Sequence, residues 1–421
     1  MARFAWLLLV CWLAACSQSS SPPEDDGVQV PAPDPDEGED DTPETELDDP
    51  HVAGEVLLAM RDPDDDEEIA EILAEFAGQH IERIGASFFL LDVDDGTDLQ
   101  EILEDLDSDL RVVDTEPNYI AESPEGGPGT IKILGGDLLS AIPAQPAYAA
   151  LDLAAAHGLS TGAGVVVAVI DTGLDHDHPL FAGRIAGGGI DLLDQDEDPQ
   201  EERNFFDDDD DGLVDEQYGH GTFIASQILA VAPDARILPI RILNDDGFTT
   251  AALLAAGIQY AVNSGAQVIN ISVSLPRKSN AIAEAISFAH ENEVVVIAAA
   301  GNGGAAAVDY PARIGDVFAV SAVDLTNTFA EFANRGSGLN LVAPGVDLIG
   351  AVPLSLDAAG TARWSGTSFA APLVAGTAAL LRARDPLIRE DKIREAIKES
   401  ALRLGETFGS GLLQPLAALL R

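Results

Sequence analysis

Two regimes of hydrophobic patterning divide the chain. From Val52 to Ala121 apolar residues come in short runs among acidic ones; beyond residue 148 they form long, nearly unbroken runs. In the first region, residues 55–60 predict a strand. Residues 67–76 predict an amphipathic helix, with Ile69, Ile72, Leu73 and Phe76 on one face. Residues 87–93 predict another strand, Leu99, Ile102, Leu103 and Leu106 mark a second helix, and 111–113 and 118–121 complete the pattern. The order strand, helix, strands, helix, strand is that of split βαβ folds. In the second region, 164–170 and 294–300 are continuous runs of small and β-branched residues, the pattern of strands buried on both faces of a parallel sheet. Helical stretches follow at 223–229 and from Ser368 to about Arg382. A length of 421 residues suits two folded units plus tails.

The segments around these units are of other kinds. Arg3 precedes an apolar run, 4–13, that is too short to span a bilayer; with Ala14 and Ala15 after it, the pattern is that of an export signal. The segment Leu13-Ala14-Ala15-Cys16 resembles the bacterial lipoprotein box, which implies lipidation of Cys16 and a membrane anchor. Residues 17–50 are rich in Ser, Pro, Asp and Glu with almost no apolar content, so they bury no core and serve as an acidic, disordered spacer. Residues 123–147 are rich in Gly, Pro and Ala and read as an exposed, cleavable linker. The expected organisation is therefore 1–16 signal, 17–50 spacer, 51–122 small α+β domain, 123–147 linker with a processing site, and 148–421 large α/β domain.

Charge and cysteine content narrow the function. There are 73 acidic against 22 basic residues, a formal net charge of −51, so the surface repels phosphate backbones and nucleic-acid binding is excluded. The only cysteines are Cys11 and Cys16, which leaves the folded body without a disulfide.

Three short motifs carry the chemistry. The strand-like run 164–170 ends in Asp171-Thr172-Gly173, which puts a carboxylate at the sheet rim where open α/β sheets carry their sites. In Gly219-His220-Gly221-Thr222, small neighbours let backbone and substrate approach the imidazole. In Gly366-Thr367-Ser368-Phe369-Ala370-Ala371-Pro372, a serine opens a long helix, whose N-terminal dipole favours developing negative charge. Each alone reads as well as a turn aspartate, a loop or metal-ligating histidine, and a helix cap.

Together, in the order Asp, His, Ser, these motifs and their flanks resemble the subtilisin-like serine protease family over roughly 150–421. The resemblance implies a subtilisin-like three-layer fold with a central, mostly parallel sheet. It extends to the small domain ending in Glu116-Pro117-Asn118-Tyr119, which is similar to the family's inhibitory propeptide, a ferredoxin-like prodomain. It implies Ser368 as nucleophile, His220 as base and Asp171 as its orienting partner. Asn302, in Gly301-Asn302-Gly303, becomes the oxyanion-hole donor beside the Ser368 amide. Ser272-Val273-Ser274 and Ala299-Ala300-Gly301 become the segments that flank an extended substrate, with Ser274 where the family often has glycine. Asp309, before Tyr310-Pro311-Ala312, falls at the base of the S1 pocket, where a carboxylate favours Arg or Lys; its other reading is an exposed turn.

Residues 207–216 place Asp207, Asp209, Asp211 and Asp215 at loop positions 1, 3, 5 and 9 with Gly212 at 6, the spacing of EF-hand-like calcium loops. Tyr218 stands where the closing Glu is usual, so Glu216 has to serve. The expectation is an exported, self-inhibited precursor of a serine endopeptidase. It acts on protein or peptide substrates, is inhibited by its own propeptide, carries structural calcium and needs no organic cofactor. The alternative is a latent or catalytically dead, calcium-dependent surface binding lipoprotein on the same fold.

Overall fold

The structure, a computed structural model, describes residues 47–421 apart from 48, 77, 79, 94, 95, 97, 126–130, 134–141 and 209–211. The predicted signal, Cys16 and most of the spacer lie outside the described residues. Residues Thr45–Arg421 form one compact unit.

Seven strands make the central sheet. In spatial order they are Leu341–Pro344, Val317–Val323, Val295–Ala299, Val268–Ile271, Val166–Asp171, Arg236–Arg241 and Ile190–Asp191, and every pairing is parallel. Alternation along each strand sorts the side chains into two cores. Val167, Val169, Val295, Ile297 and Val320 face the helices His220–Val231 and Thr367–Arg384. Ala168, Ile170, Ile269, Val296 and Ala298 face the helices Ala251–Asn263 and Asn280–Glu291. This is the expected three-layer α/β arrangement. Burying a large aliphatic side chain is worth about 1.5–3 kcal/mol. With both faces buried, a one-residue slip exchanges the two cores, so the register is tightly specified.

The small domain has the order strand His51–Met60, helix Asp66–Glu75, strands His80–Arg83 and Phe88–Asp92, helix Leu99–Asp107 and strand Val112–Glu122. Its antiparallel sheet is ferredoxin-like. Residues 111–113 and 118–121, read as separate strands, are one continuous strand. One face of this sheet, with Val56, Leu58, Met60, Phe89 and Leu91, packs with Ile72, Leu103 and Leu106 of its own helices. The other face, with Leu57, Ala59 and Phe88, joins the core that contains Leu254, Ile258, Ile282 and Ala285 of the large domain.

Polar groups fix this docking. Glu116, nearly fully buried, accepts from Ser279 Oγ at 2.7 Å and from the amides of Asn280 at 2.8 Å and Ala281 at 3.1 Å, capping the helix Asn280–Glu291. Asn118 Oδ1 accepts from the Ala252 amide at 3.0 Å at the start of the helix Ala251–Asn263. The strand Val112–Glu122 then continues antiparallel to Phe248–Thr250, so the small domain's sheet runs on into the large domain.

The linker departs from expectation. Ser123 and Glu125 are buried rather than exposed, because they enter the large domain between two backbone segments. Further on, Ile131–Ile133 pairs antiparallel with the strand Thr361–Trp364.

Burial pushes the Glu116 carboxyl up to about 7, against hydrogen bonds that lower it. A raised value means docking is favoured below the ordinary 4.5 and loses this contribution as pH rises through about 7. The melting temperature of the wild type, relative to Glu116→Gln, is expected to fall across that window; a flat difference would refute it.

Candidate active site

The first three predicted residues come from the end of a strand of the parallel sheet and from the starts of two helices. Asp171 is the last residue of the strand Val166–Asp171. His220 opens the helix His220–Val231, which begins three residues earlier than the pattern predicts. Ser368 lies in the first turn of Thr367–Arg384. All three are fully buried.

His220 Nδ1 lies 2.7 Å from Asp171 Oδ1, which also accepts from the Thr172 amide at 2.8 Å. The contact depends on a close approach of backbones. A Cβ on Gly221 would sit 2.2 Å from the Gly173 carbonyl oxygen and 3.2 Å from the Asp171 side chain. Thr172 Oγ1 accepts from the Gly221 amide at 2.9 Å and ties strand end to helix start. The imidazole is walled by Trp364 and Phe369, with ring centroids at 5.5 and 5.3 Å.

Glu201 is a residue the sequence reading missed. It is buried and accepts from the Gly219 and Thr222 amides and from Thr222 Oγ1, each at 2.9 Å, so a carboxylate caps the helix that carries His220. Burial raises its own ionisation range. No local motif marks it, because its partners lie 18 and 21 residues away.

A second missed residue stands in the centre. The Glu125 carboxylate lies 3.1 Å from His220 Nε2, 2.7 Å from Asn302 Nδ2 and 3.2 Å from the Ser368 amide. The imidazole therefore has a carboxylate on each nitrogen. Burial disfavours its charge, but Asp171 and Glu125 outweigh that and raise it to about 10, the direction that favours an imidazolium with a proton for each carboxylate. Ser368 Oγ has no hydrogen-bond partner among the described residues. Asp171, His220, Asn302 and the Ser368 amide are thus brought together, while the Ser368 hydroxyl is not hydrogen-bonded to His220.

Asn302 follows the strand Val295–Ala299 and also donates to the Pro124 carbonyl at 3.0 Å, while its Oδ1 accepts from the Thr367 amide at 3.0 Å. Ser272 and Val273 are buried, and Ser274 exchanges backbone hydrogen bonds of 3.1 and 2.8 Å with Glu122. Ala299 and Ala300 are buried; the Ala300 carbonyl accepts from the Asp309 amide at 3.0 Å and from Asn334 Nδ2 at 3.1 Å, so it is spent inside the fold. Asp309 is half-buried rather than an exposed turn. A Cβ on Gly301 would meet its Oδ2 at 1.9 Å. Burial raises its ionisation range.

Of the five expected calcium ligands, Asp209 and Asp211 lie outside the described residues. Asp215 does not fit the role. Its Oδ2 accepts from Arg203 Nε at 2.9 Å and its Oδ1 from the Phe205 amide at 3.0 Å, so the place of a cation is taken by guanidinium. Asp207 Oδ2 accepts from the Gly212 amide at 3.0 Å. Among the described residues no group of three His, Cys, Asp or Glu side chains is arranged to hold a metal.

Known proteins resemble this chain over most of its length. The model of the Subtilase family matches residues 162–412. Subtilisin BL of Lederbergia lenta is 37% identical over 269 residues, which cover 61% of this chain and 91% of that protein. The thermophilic serine proteinase of Bacillus sp. (strain AK1) is 32% identical over 360 residues, 85% of this chain and 84% of that one. Among solved structures, fervidolysin from Fervidobacterium pennivorans, described as a keratinolytic enzyme related to subtilisin, aligns with a TM-score of 0.72 at 25% identity. The alignment covers 88% of this chain and 61% of the fervidolysin chain.

These likenesses define a serine peptidase of the α/β class. The chain belongs to the subtilase family, as a subtilisin-like serine endopeptidase. Among the described residues no helix is long and apolar enough to cross a membrane.

Proposed function

We propose that the chain is the self-inhibited precursor of an exported endopeptidase that works through Asp171, His220 and Ser368. The observation that carries the reading is the buried 2.7 Å contact between His220 Nδ1 and Asp171, with Asn302 Nδ2 and the Ser368 amide aimed at one point beside it. When a substrate replaces Glu125, His220 is freed to take the Ser368 proton as the hydroxyl attacks the scissile carbonyl. Asp171 holds the tautomer and stabilises the imidazolium, and Asn302 with the Ser368 amide receives the oxyanion. His220 then protonates the leaving amine, and water releases the acyl group.

Residues 51–122 act as the inhibitory prodomain. This is supported by the Glu116 and Asn118 caps and by the strand that runs from the small sheet into the cleft. The proposed processing site lies in 123–147. Export and a lipid on Cys16 rest on the sequence pattern, and an intact-mass measurement of the mature protein tests the lipid.

Ser368→Ala is expected to abolish fluorophosphonate labelling and peptide hydrolysis in the processed enzyme. Asn302→Ala is expected to lower kcat by roughly 10²–10³-fold with KM little changed. Hydrolysis that survives Ser368→Ala would sink the assignment.

Asp309 is the proposed floor of the S1 pocket and selects Lys or Arg. Support comes from its burial beside Gly301 and Ser274. A peptide library should show at least about tenfold preference for basic residues before the cut, the ratio that a charge-assisted hydrogen bond of about 1.5 kcal/mol gives. Asp309→Ser should remove it; a flat profile for the wild type refutes the pocket.

Calcium enters no catalytic step. The proposed ligands are Asp207, Asp209, Asp211 and Glu216, with Asp215 left to Arg203. EDTA is then expected to lower the melting temperature by several degrees, and unchanged melting removes calcium from the loop.

A further inference from the structure

The chain's own backbone lies across the active centre as a bound peptide would. Glu122 and Ser274 exchange two backbone hydrogen bonds, and the Ser123 amide donates to the Gly247 carbonyl at 2.8 Å. One residue on, the Pro124 carbonyl accepts from Asn302 Nδ2 at 3.0 Å. This register presents the Pro124–Glu125 bond to Ser368. It is also the register in which the next side chain, Glu125, turns back into the site.

The Glu125 carboxylate is fully buried. Its Oε1 accepts from Asn302 Nδ2 at 2.7 Å and the Ser368 amide at 3.2 Å, and its Oε2 lies 3.1 Å from both His220 Nε2 and Ser123 Oγ. The fit is close enough that a Cβ on Gly366 would fall 1.9 Å from Oε1. Two oxygens of one negative group thus take the donors that an anionic tetrahedral intermediate needs. With its Nε2 proton committed to Glu125, the imidazole has no lone pair to receive the Ser368 proton.

We propose that Glu125 is a specificity-determining plug: a side-chain carboxylate just after the presented bond occupies the oxyanion donors and His220 together, so the enzyme binds a Pro-Glu junction in register and does not cut it. The intact chain is held latent by this one group in addition to the docking of its small domain. Maturation therefore starts at a bond other than Pro124–Glu125, or after Glu125 is displaced. The inference rests on the proposed roles of Ser368 and His220.

The test uses the full chain, with Glu125→Ala, Glu125→Gln and Glu125→Asp beside the wild type. Fluorophosphonate labelling of the uncut chain is followed over time, and new N-termini are mapped by mass spectrometry. Melting curves identify the variants that fold; the isosteric Gln variant serves if Ala does not. Loss of the charged contact is expected to speed labelling of Glu125→Ala at least about tenfold over wild type, the equivalent of a single charge-assisted hydrogen bond. Glu125→Gln, which keeps an acceptor for the oxyanion donors but not the charge on His220, should fall between. Glu125→Asp, one methylene too short to span both, should exceed wild type. A new N-terminus at residue 125 should form in the variants and not in the wild type. Equal labelling of wild type and Glu125→Ala, or wild-type cleavage at Pro124–Glu125 as fast as in the variants, overturns the plug and leaves the peptidase assignment standing. No labelling in any form overturns both.

Discussion

Asp171 and His220 meet at 2.7 Å because two backbones approach more closely than side chains normally permit. Gly221 stacks against the Gly173 carbonyl with no room for a methyl group, and Thr172 stitches its hydroxyl to the Gly221 amide. Around this contact the sheet, the two flanking helices and the aromatic wall of Trp364 and Phe369 exclude water. In so dry a place a carboxylate is worth far more to an imidazolium than it is in solvent. Glu201 extends the arrangement by one layer. By capping the helix that His220 begins, it fixes the direction from which the ring enters.

The same low dielectric makes the site sensitive to what occupies it. In the proposed mechanism a substrate carbonyl draws on Asn302 and the Ser368 amide only as its bond to Ser368 forms, whereas the Glu125 side chain already meets both donors. With Asp171 on one side and Glu125 on the other, the protonated form of His220 is favoured. If the chain is the latent precursor proposed above, its latency is a matter of charge as well as of steric cover, with the segment after the small domain placing a carboxylate beside Asn302, His220 and the Ser368 amide.

Docking of the small domain uses helix N-termini as receptors. Glu116 and Asn118 face the first turns of two adjacent helices, where unpaired amides and the helix dipole favour an oxygen acceptor. The alternating strand His51–Met60 supplies the rest: one face closes its own domain and the other joins the large domain's core. The interface is therefore continuous with a hydrophobic core, and the strand leaving it is aimed at the cleft.

The three-layer sheet was legible in the sequence because strands buried on both faces must be apolar without interruption, as in 164–170 and 294–300. Asp171, His220, Ser368 and Asn302 each stand in a short motif that is ambiguous alone; only the motifs taken together pointed to a shared site, and the structure brings Asp171, His220, Asn302 and the Ser368 amide near one another. The period of the small domain gave its order of elements but joined strands less accurately, since short acidic segments within Val112–Glu122 are strand only through pairing with His51–Met60. What tertiary structure alone decided concerns groups whose partners are distant in the chain. Glu201 and Glu125 carry no motif, and Glu125 sits in a stretch whose Gly, Pro and Ala content reads as open linker. Asp215, regular in spacing, was claimed by Arg203 instead of a cation, because spacing along a loop does not specify which charge folds against it. Local patterns record what the backbone and its immediate neighbours require; which buried charges meet across the fold is set by packing, and a one-dimensional pattern does not carry it.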